Sequence, residues 1–199
     1  MMADCLAVVM AGGESQRMGC DKASLKLGER TLLQRVIDVV EPLFGELRVS
    51  VRHPRPDIDW PQICDRHADA GPLAGVCAAL EWAKERQVPW IFVVATDMPF
   101  IRPALIESLA QRRSGWQAVI PVVHGHPQPL AGFYSTDALA AIQAVLAGAG
   151  KHSLRAALEL MQVNEVDAAE LLAVDPELES FFDLDTPQDV EVAKRFKES

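Results

Sequence analysis

The apolar run Val8-Val9-Met10-Ala11 leads directly into Gly12-Gly13-Glu14-Ser15-Gln16-Arg17-Met18-Gly19-Cys20-Asp21-Lys22. Gly12 and Gly13 lack a Cβ and can turn backbone N–H groups toward an anion, while Arg17 and Lys22 bring positive charge to the same loop. Phosphate is the anion such a loop suits, so the segment has the outline of a nucleotide site. Its spacing is neither G-x-x-x-x-G-K-[ST] nor G-x-G-x-x-G, which excludes the two commonest phosphate-loop motifs.

Carboxylates supply the other half of phosphate chemistry. Asp97, in Thr96-Asp97-Met98-Pro99, stands where an apolar run ends and the chain must turn. Magnesium takes a few carboxylates together with phosphate oxygens and water, so one or two acids suffice to hold it, and Asp185 is a candidate second acid. Both residues have a purely local alternative, Asp97 as a turn cap before Pro99 and Asp185 as a cap before Thr186-Pro187. The loop Gly71-Pro72-Leu73-Ala74-Gly75 is either a plain helix start or a place where backbone approaches a flat base. Guanine offers N1–H and N2–H donors, which backbone carbonyls of this loop and at Met10, Ala11 and Gly12, or the Asp65 carboxylate, would accept. Asp65 as an isolated surface acid is the alternative. His124-Gly125-His126 has H-x-H spacing but no third ligand nearby, and reads better as a polar connection before a strand at Leu130 to Tyr134 than as a metal site. There is no Gly-x-Ser-x-Gly elbow and hence no sign of a covalent enzyme intermediate.

These residues need a scaffold. Strand-length apolar runs recur at Leu6 to Met10, Leu47 to Val51, Trp90 to Ala95 and Ala118 to Val123, with segments of helical spacing between them. The spacing predicts helices over Thr31 to Leu43, capped by Thr31 with Gly45 just beyond, over Leu73 to Arg86, and after Pro103 with Leu105, Ile106 and Leu109 inward. The segment from Gly148 to Asp175 reads as helix, short strand and helix. The tail from Phe181 reads as a short extended stretch entering a last helix, with Thr186 as N-cap and Pro187 in its first position. Alternating strands and helices imply a mostly parallel sheet covered on both faces, with ligands at the carboxyl ends of the strands. The glycine loop, Ser50, Asp65 and Asp97 all follow strand ends and are therefore expected to converge on one edge.

Composition narrows the function classes. The 199 residues, 49% hydrophobic and 24% charged, suit one globular domain over residues 1–199. A formal net charge of −9 argues against a nucleic-acid partner, which requires a basic face. Between Arg155 and Lys194 there is no Lys or Arg, and most of the acids that accumulate there read as a solvated face. Cys5, Cys20, Cys64 and Cys77 include no C-x-x-C pair, so free thiols are expected. No leader-like start and no membrane-length run is visible, and the expectation is a cytoplasmic protein, monomeric by default.

The opening run resembles the nucleotidyltransferase signature L-A-G-G-x-S-x-R-M-G-x-D-K, with Met10 in place of the usual Leu. Followed along nearly the whole chain, Gly71-Pro72-Leu73-Ala74-Gly75, Thr96-Asp97-Met98-Pro99, Gln128-Pro129-Leu130-Ala131-Gly132-Phe133-Tyr134 and Asp185-Thr186-Pro187 occur in the order seen in molybdenum cofactor guanylyltransferases. The double glycine and the G-P-L-A-G loop favour that branch over cytidylyl relatives, which typically carry L-A-A-G in the opening motif.

The resemblance implies a three-layer α/β/α, Rossmann-like nucleotidyltransferase fold with a mostly parallel central sheet. It implies GMP transfer from GTP to the terminal phosphate of molybdopterin, with pyrophosphate as leaving group and Mg²⁺ as cofactor. Met10, Ala11, Gly12, Lys22, Asp65 and Asp97 would contact the nucleotide, with Gly13, Ser50, Gly71 and Gly75 completing its surroundings. Arg17, Lys22 and Asp97 would be the catalytic set, Asp97 also on the metal. Ser50, Asp183 and Asp185 stand where the family commonly has Asn. Cofactor-delivery or acceptor proteins are partners by the same analogy. The competing readings are cytidylyl transfer from CTP, nucleotidyl transfer to a sugar phosphate, and a nucleotide-binding regulatory protein without turnover.

Overall fold

The computed structural model describes residues 1–12, 21–65, 67, 70–184 and 186–195, the last set by backbone alone at 187, 194 and 195. Gly13, Arg17 and Asp185 therefore lie outside the described residues. In chain order the elements are β1 (Cys5–Met10), β2 (Lys26–Leu27), β3 (Arg30–Thr31), α1 (Leu32–Val40), β4 (Leu47–Val51), β5 (Gln62–Cys64) and α2 (Pro72–Glu85). They continue with β6 (Trp90–Ala95), α3 (Pro103–Ala110), β7 (Ala118–Val123), β8 (His126–Pro127), β9 (Ala131–Ser135), α4 (Leu139–Ala147), α5 (Leu154–Leu158), β10 (Val163–Asp167), α6 (Ala168–Leu171) and α7 (Pro187–Arg195).

The main sheet has the order β10-β7-β9-β6-β1-β4-β5, with β8 paired to β7. Pairing is parallel except around β9, which is antiparallel to both β6 and β7, and in the β7–β8 hairpin. Strand β1 is buried along its whole length, and its alternate side chains divide between the faces as strand geometry requires. Cys5, Ala7 and Val9 join the layer of α1, α3 and α6, where Val36, Ile37, Leu105, Ile106 and Leu171 are buried. Leu6, Val8 and Met10 join the layer of α2, α4 and α5, with Leu73, Leu80, Ile142 and Ala157. The mostly parallel sheet flanked by helices is the architecture that the strand and helix spacing predicts.

Local chemistry explains the boundaries. Thr31 caps α1 in a reciprocal box: its Oγ1 accepts from Gln34 N at 3.1 Å, and Gln34 Oε1 accepts from Thr31 N at 2.9 Å. The predicted helix to Leu43 stops as an α-helix at Val40, and Glu41–Leu43 is a 3₁₀ turn because Pro42 has no N–H to continue the ladder. Thr186 and Asp189 cap α7 in the same reciprocal manner, with Asp189 N donating to Thr186 Oγ1 (3.2 Å) and Thr186 N to Asp189 Oδ2 (2.7 Å). The tail before it is not purely extended, since Glu179–Phe181 forms one 3₁₀ turn. Nor is the acidic segment uniformly solvated. Asp175 is fully buried, accepts from Glu179 N (3.2 Å) and Ser180 N (3.0 Å), and pairs with Arg102.

In β9, Gly132 lies opposite Val93, and a Cβ there would sit 2.8 Å from the Val119 carbonyl oxygen and 2.6 Å from Ile120 Cδ1. Backbone cannot yield as a flexible side-chain tip can. Gly132→Ala is therefore expected to lower unfolding free energy by about 1–3 kcal/mol, read as a lower urea midpoint at unchanged m.

Candidate functional site

The site is built by the ends of four parallel strands. Met10, the last residue of β1, lies between Ser50 of β4 and Ala95 of β6. Beyond it the chain stays fastened on both sides: Ala11 N donates to Ser50 O at 2.9 Å, and Met10 O accepts from Thr96 N and Thr96 Oγ1 at 3.2 Å each. On the other side of β4, Asp65 follows β5, with its N–H directed to Val51 O at 3.4 Å. Gly12, Asp65 and Asp97 are thus delivered to one edge, as the strand-end rule predicts. The loop Gln128–Leu130 joins them, because Ala95 N donates to Leu130 O at 2.9 Å and the buried Tyr134 hydroxyl donates to Pro129 O at 2.7 Å.

At this edge Lys22 Nζ and Asp97 Oδ2 are 2.8 Å apart, with side chains 16% and 24% exposed. Lys22 starts a 3₁₀ turn, Lys22–Ser24, whose N-cap is Asp21. Asp97 follows β6, its turn closed by Met98 N to Ala95 O, and its carbonyl accepts from Leu184 N of the tail at 3.1 Å. The Asp97 carboxylate therefore faces a lysine rather than serving only its own turn. Two opposite charges from segments 75 residues apart meet in one partly desolvated place.

Helix α2 opens at the same edge. Gly71, its N-cap, has φ +55°, a conformation that penalises a side chain, and Pro72 fills the first turn. One turn on, Gly75 faces the sheet, where a Cβ would come 2.5 Å from Met10 Cε and 2.6 Å from Ser50 Oγ. The two side chains occupy the space under the helix, 9% and 2% exposed respectively. Gly12 is exposed, and among the described residues a Cβ there would meet Arg52 N first, at 3.6 Å. Burial pushes the Asp65 carboxyl above its ordinary range, a shift partly offset by Arg52, His53 and His67 around it.

Two other features do not belong to this centre. A cavity of about 590 Å³ lined by Gly28, Glu29, Arg30, Arg35, Asp38, Val39 and Pro99 contains none of the predicted site residues. His124 and Gly125 both take positive φ, 51° and 74°, and form the tight turn between β7 and β8, the connection expected for this segment. Among the described residues no group of three or more His, Cys, Asp or Glu could hold a metal, and Cys5, Cys64 and Cys77 are free thiols. The sequence reading missed Asp21, Thr96 and Leu184 as supports of the site. Only Asp21 left a signal, as a cap residue directly before Lys22.

Residues 7–166 match the MobA-like NTP transferase domain. The chain belongs to this family. A probable molybdenum cofactor guanylyltransferase of Chloroflexus aggregans is 34% identical over 95% of this chain and 93% of its own. One of Natranaerobius thermophilus is 31% identical over 96% and 95%. The crystal structure of molybdopterin-guanine dinucleotide biosynthesis protein A from Archaeoglobus fulgidus, 27% identical, superposes with a TM-score of 0.84 over 97% of this chain and 98% of that one. No helix among the described residues of this MobA-like chain is long and apolar enough to cross a membrane.

In a MobA-like transferase such an edge can hold an anionic triphosphate by charge and a base by backbone and carboxylate acceptors. The raised pKa of Asp65 makes one part of it testable by pH. Between the ordinary and the raised value the folded protein binds more protons than the unfolded chain, so this group's contribution is present at low pH and is lost as pH rises. Asp65→Asn lacks that loss. Its stability relative to the wild type is expected to rise between about pH 3 and pH 7, by less than about 1 kcal/mol because solvent screens a partly exposed group. Denaturation curves at the two pH values measure it.

Proposed function

We propose that this chain transfers GMP from GTP to the terminal phosphate of molybdopterin, releasing pyrophosphate and forming the guanine dinucleotide. The observation that carries the reading is the Lys22–Asp97 pair at the carboxyl edge of the sheet, in a chain that matches guanylyltransferase relatives over nearly its whole length. An oxygen of the pterin phosphate attacks the α-phosphorus of GTP. The new bond forms to that oxygen as the bond from the α-phosphorus to the bridging oxygen of the β-phosphate breaks. A phosphate nucleophile is already ionised near neutral pH, so no general base is required. The protein acts by alignment and by stabilising charge on the α-phosphate and departing pyrophosphate.

Lys22 supplies that positive charge, and Arg17 is assigned the same role from its place in the signature. Ala11 and Gly12 approach the phosphates and base, Gly13 is assigned the same part from its place in the signature, and Asp65 accepts from the guanine edge. Met10 and Ser50 set the floor under Gly75, and Gly71 starts the helix beside the base. Asp97 suits Mg²⁺: it is a carboxylate at a strand end, 24% exposed, and Mg²⁺ takes its remaining ligands from phosphate oxygens and water. When bound, the ion would neutralise triphosphate charge and fix its geometry. His126 to Leu130, fastened to β6 through Leu130 O and Ala95 N, and the carboxyl-terminal region are the walls assigned to the pterin. The working compartment is the cytoplasm and the default state a monomer, with delivery or acceptor proteins taking part in handing on the product.

The deciding assay supplies molybdopterin and Mg²⁺ with GTP, ATP, CTP or UTP in parallel and measures pyrophosphate and the dinucleotide product. Acceptor-dependent release with GTP alone is expected. Preference for CTP would make this a cytidylyltransferase, and GTP binding without turnover on any nucleotide would favour a different acceptor, such as a sugar phosphate, or a regulatory protein. Lys22→Ala and Asp97→Ala are each expected to lower kcat by about a hundredfold or more at unchanged circular dichroism. Near-normal turnover in either variant would remove that residue from the mechanism.

A further inference from the structure

Lys22 sits on a single turn whose shape is fixed from outside. Asp21 Oδ1 accepts from Ala23 N at 3.2 Å and its Oδ2 from Ser24 Oγ at 2.7 Å, which closes the turn locally. Across a gap of 34 positions, Arg55 Nη2 reaches Asp21 Oδ2 at 2.6 Å and Ser24 Oγ at 3.2 Å, while Arg55 Nε donates to Asp57 Oδ1 at 3.2 Å. Burial pushes the Asp21 carboxyl up, but hydrogen bonds from Arg55 and Ser24 more than offset this and hold it below its ordinary range.

Arg55 is anchored in turn by the sheet. Its backbone N–H donates to Gln62 Oε1 at 2.8 Å, and Gln62 Nε2 donates to Arg55 O at 2.7 Å and Ile58 O at 3.0 Å. Gln62 begins β5, the strand that leads to Asp65. A continuous polar path therefore runs from β5 through Gln62 and Arg55 to Asp21, and so to the turn that sets Lys22 against Asp97.

We infer that Arg55 is a positioning residue for Lys22, clamping the Asp21 turn to the β4–β5 connection so that the ammonium group is held in place for the phosphates. A guanidinium is suited to this, since its planar fork binds Asp21, Ser24 and Asp57 together, which a lysine ammonium on a flexible stem does less well. The inference rests on the transferase reading for its kinetic consequence but not for its structural one, and each has its own measurement.

Arg55→Ala and Arg55→Lys would be compared with the wild type in two ways. Labelling of Lys22 by reductive methylation, read by mass spectrometry, is expected to rise severalfold in Arg55→Ala, less in Arg55→Lys, with the other lysines unchanged. In guanylyl transfer, Arg55→Ala is expected to lower kcat by about tenfold to a hundredfold with a smaller change in KM for GTP, and Arg55→Lys to recover part of it. In a Lys22→Ala background, adding Arg55→Ala should cost nothing further, since the group it positions is already gone. Unchanged Lys22 labelling, or losses that multiply in the double variant, would overturn the inference. A wild type with no guanylyl transfer would count against the proposed function alone, and the labelling result would then decide the role of Arg55.

Discussion

Everything at the candidate site depends on β1 being paired in parallel on both of its edges. A parallel ladder puts the carboxyl ends of neighbouring strands side by side, and the chain must leave each end by a crossover that packs on a sheet face. The runs Cys5–Met10, Leu47–Val51 and Trp90–Ala95 are apolar enough to be buried on both faces, and helices α1 and α2 lie on opposite sides of them. The polar residues that follow these runs therefore have only the edge to occupy. Strand β9, inserted antiparallel between β6 and β7, begins at that edge and brings Leu130 against Ala95.

The Lys22–Asp97 pair follows from this geometry and from the cost of desolvating charge. Each group alone in a partly buried place would lose hydration without return. Facing each other at 2.8 Å, they compensate locally. In the proposed reaction the same two charges have new partners, phosphate oxygens for the ammonium and a divalent cation for the carboxylate. The pair keeps both charges neutralised and in place at the edge. Arg55 bears on this directly, because an ion pair between two mobile side chains loses entropy each time it forms, whereas one carried on a clamped turn has less to lose.

How much of this was legible in the sequence depended on the range of the interaction. Thr31, Thr186 and Pro187 announce helix starts because capping is settled within three or four residues, and the apolar runs announce strands because burial on both faces demands them. Asp97 and Asp65 were found by their position after such runs. Helix α4, Leu139–Ala147, was not anticipated, since an almost wholly apolar, alanine-rich segment shows no amphipathic period to read. The strand end of Ser50 announces its place at the carboxyl edge, where it lies beside Met10, but the tight contact of its side chain under Gly75 needs two distant segments to meet. Arg55 was invisible for the same reason: nothing within its own loop shows that Asp21 is its partner.

The tail illustrates how an acidic composition conceals structure. Asp175 looks like one more surface acid in a stretch without Lys or Arg, yet it is fully buried, caps the turn at Glu179 and Ser180, and pairs with Arg102. Arg102 lies on the segment that leaves Asp97, and its backbone N–H donates to Ser180 Oγ at 3.1 Å. Leu184 then bonds the carbonyl of Asp97 itself. The match to the MobA-like domain ends at residue 166, so these contacts come from chain beyond the matched span. Within residues 7–166 the Asp97 turn is held by Met98 N to Ala95 O and leads into the buried face of α3, and the tail adds a further fastening through Leu184 on the Asp97 carbonyl and Asp175 on Arg102. The burial of Asp175 is explained by that role, since a carboxylate is removed from water only where backbone donors and a guanidinium replace the solvent it loses.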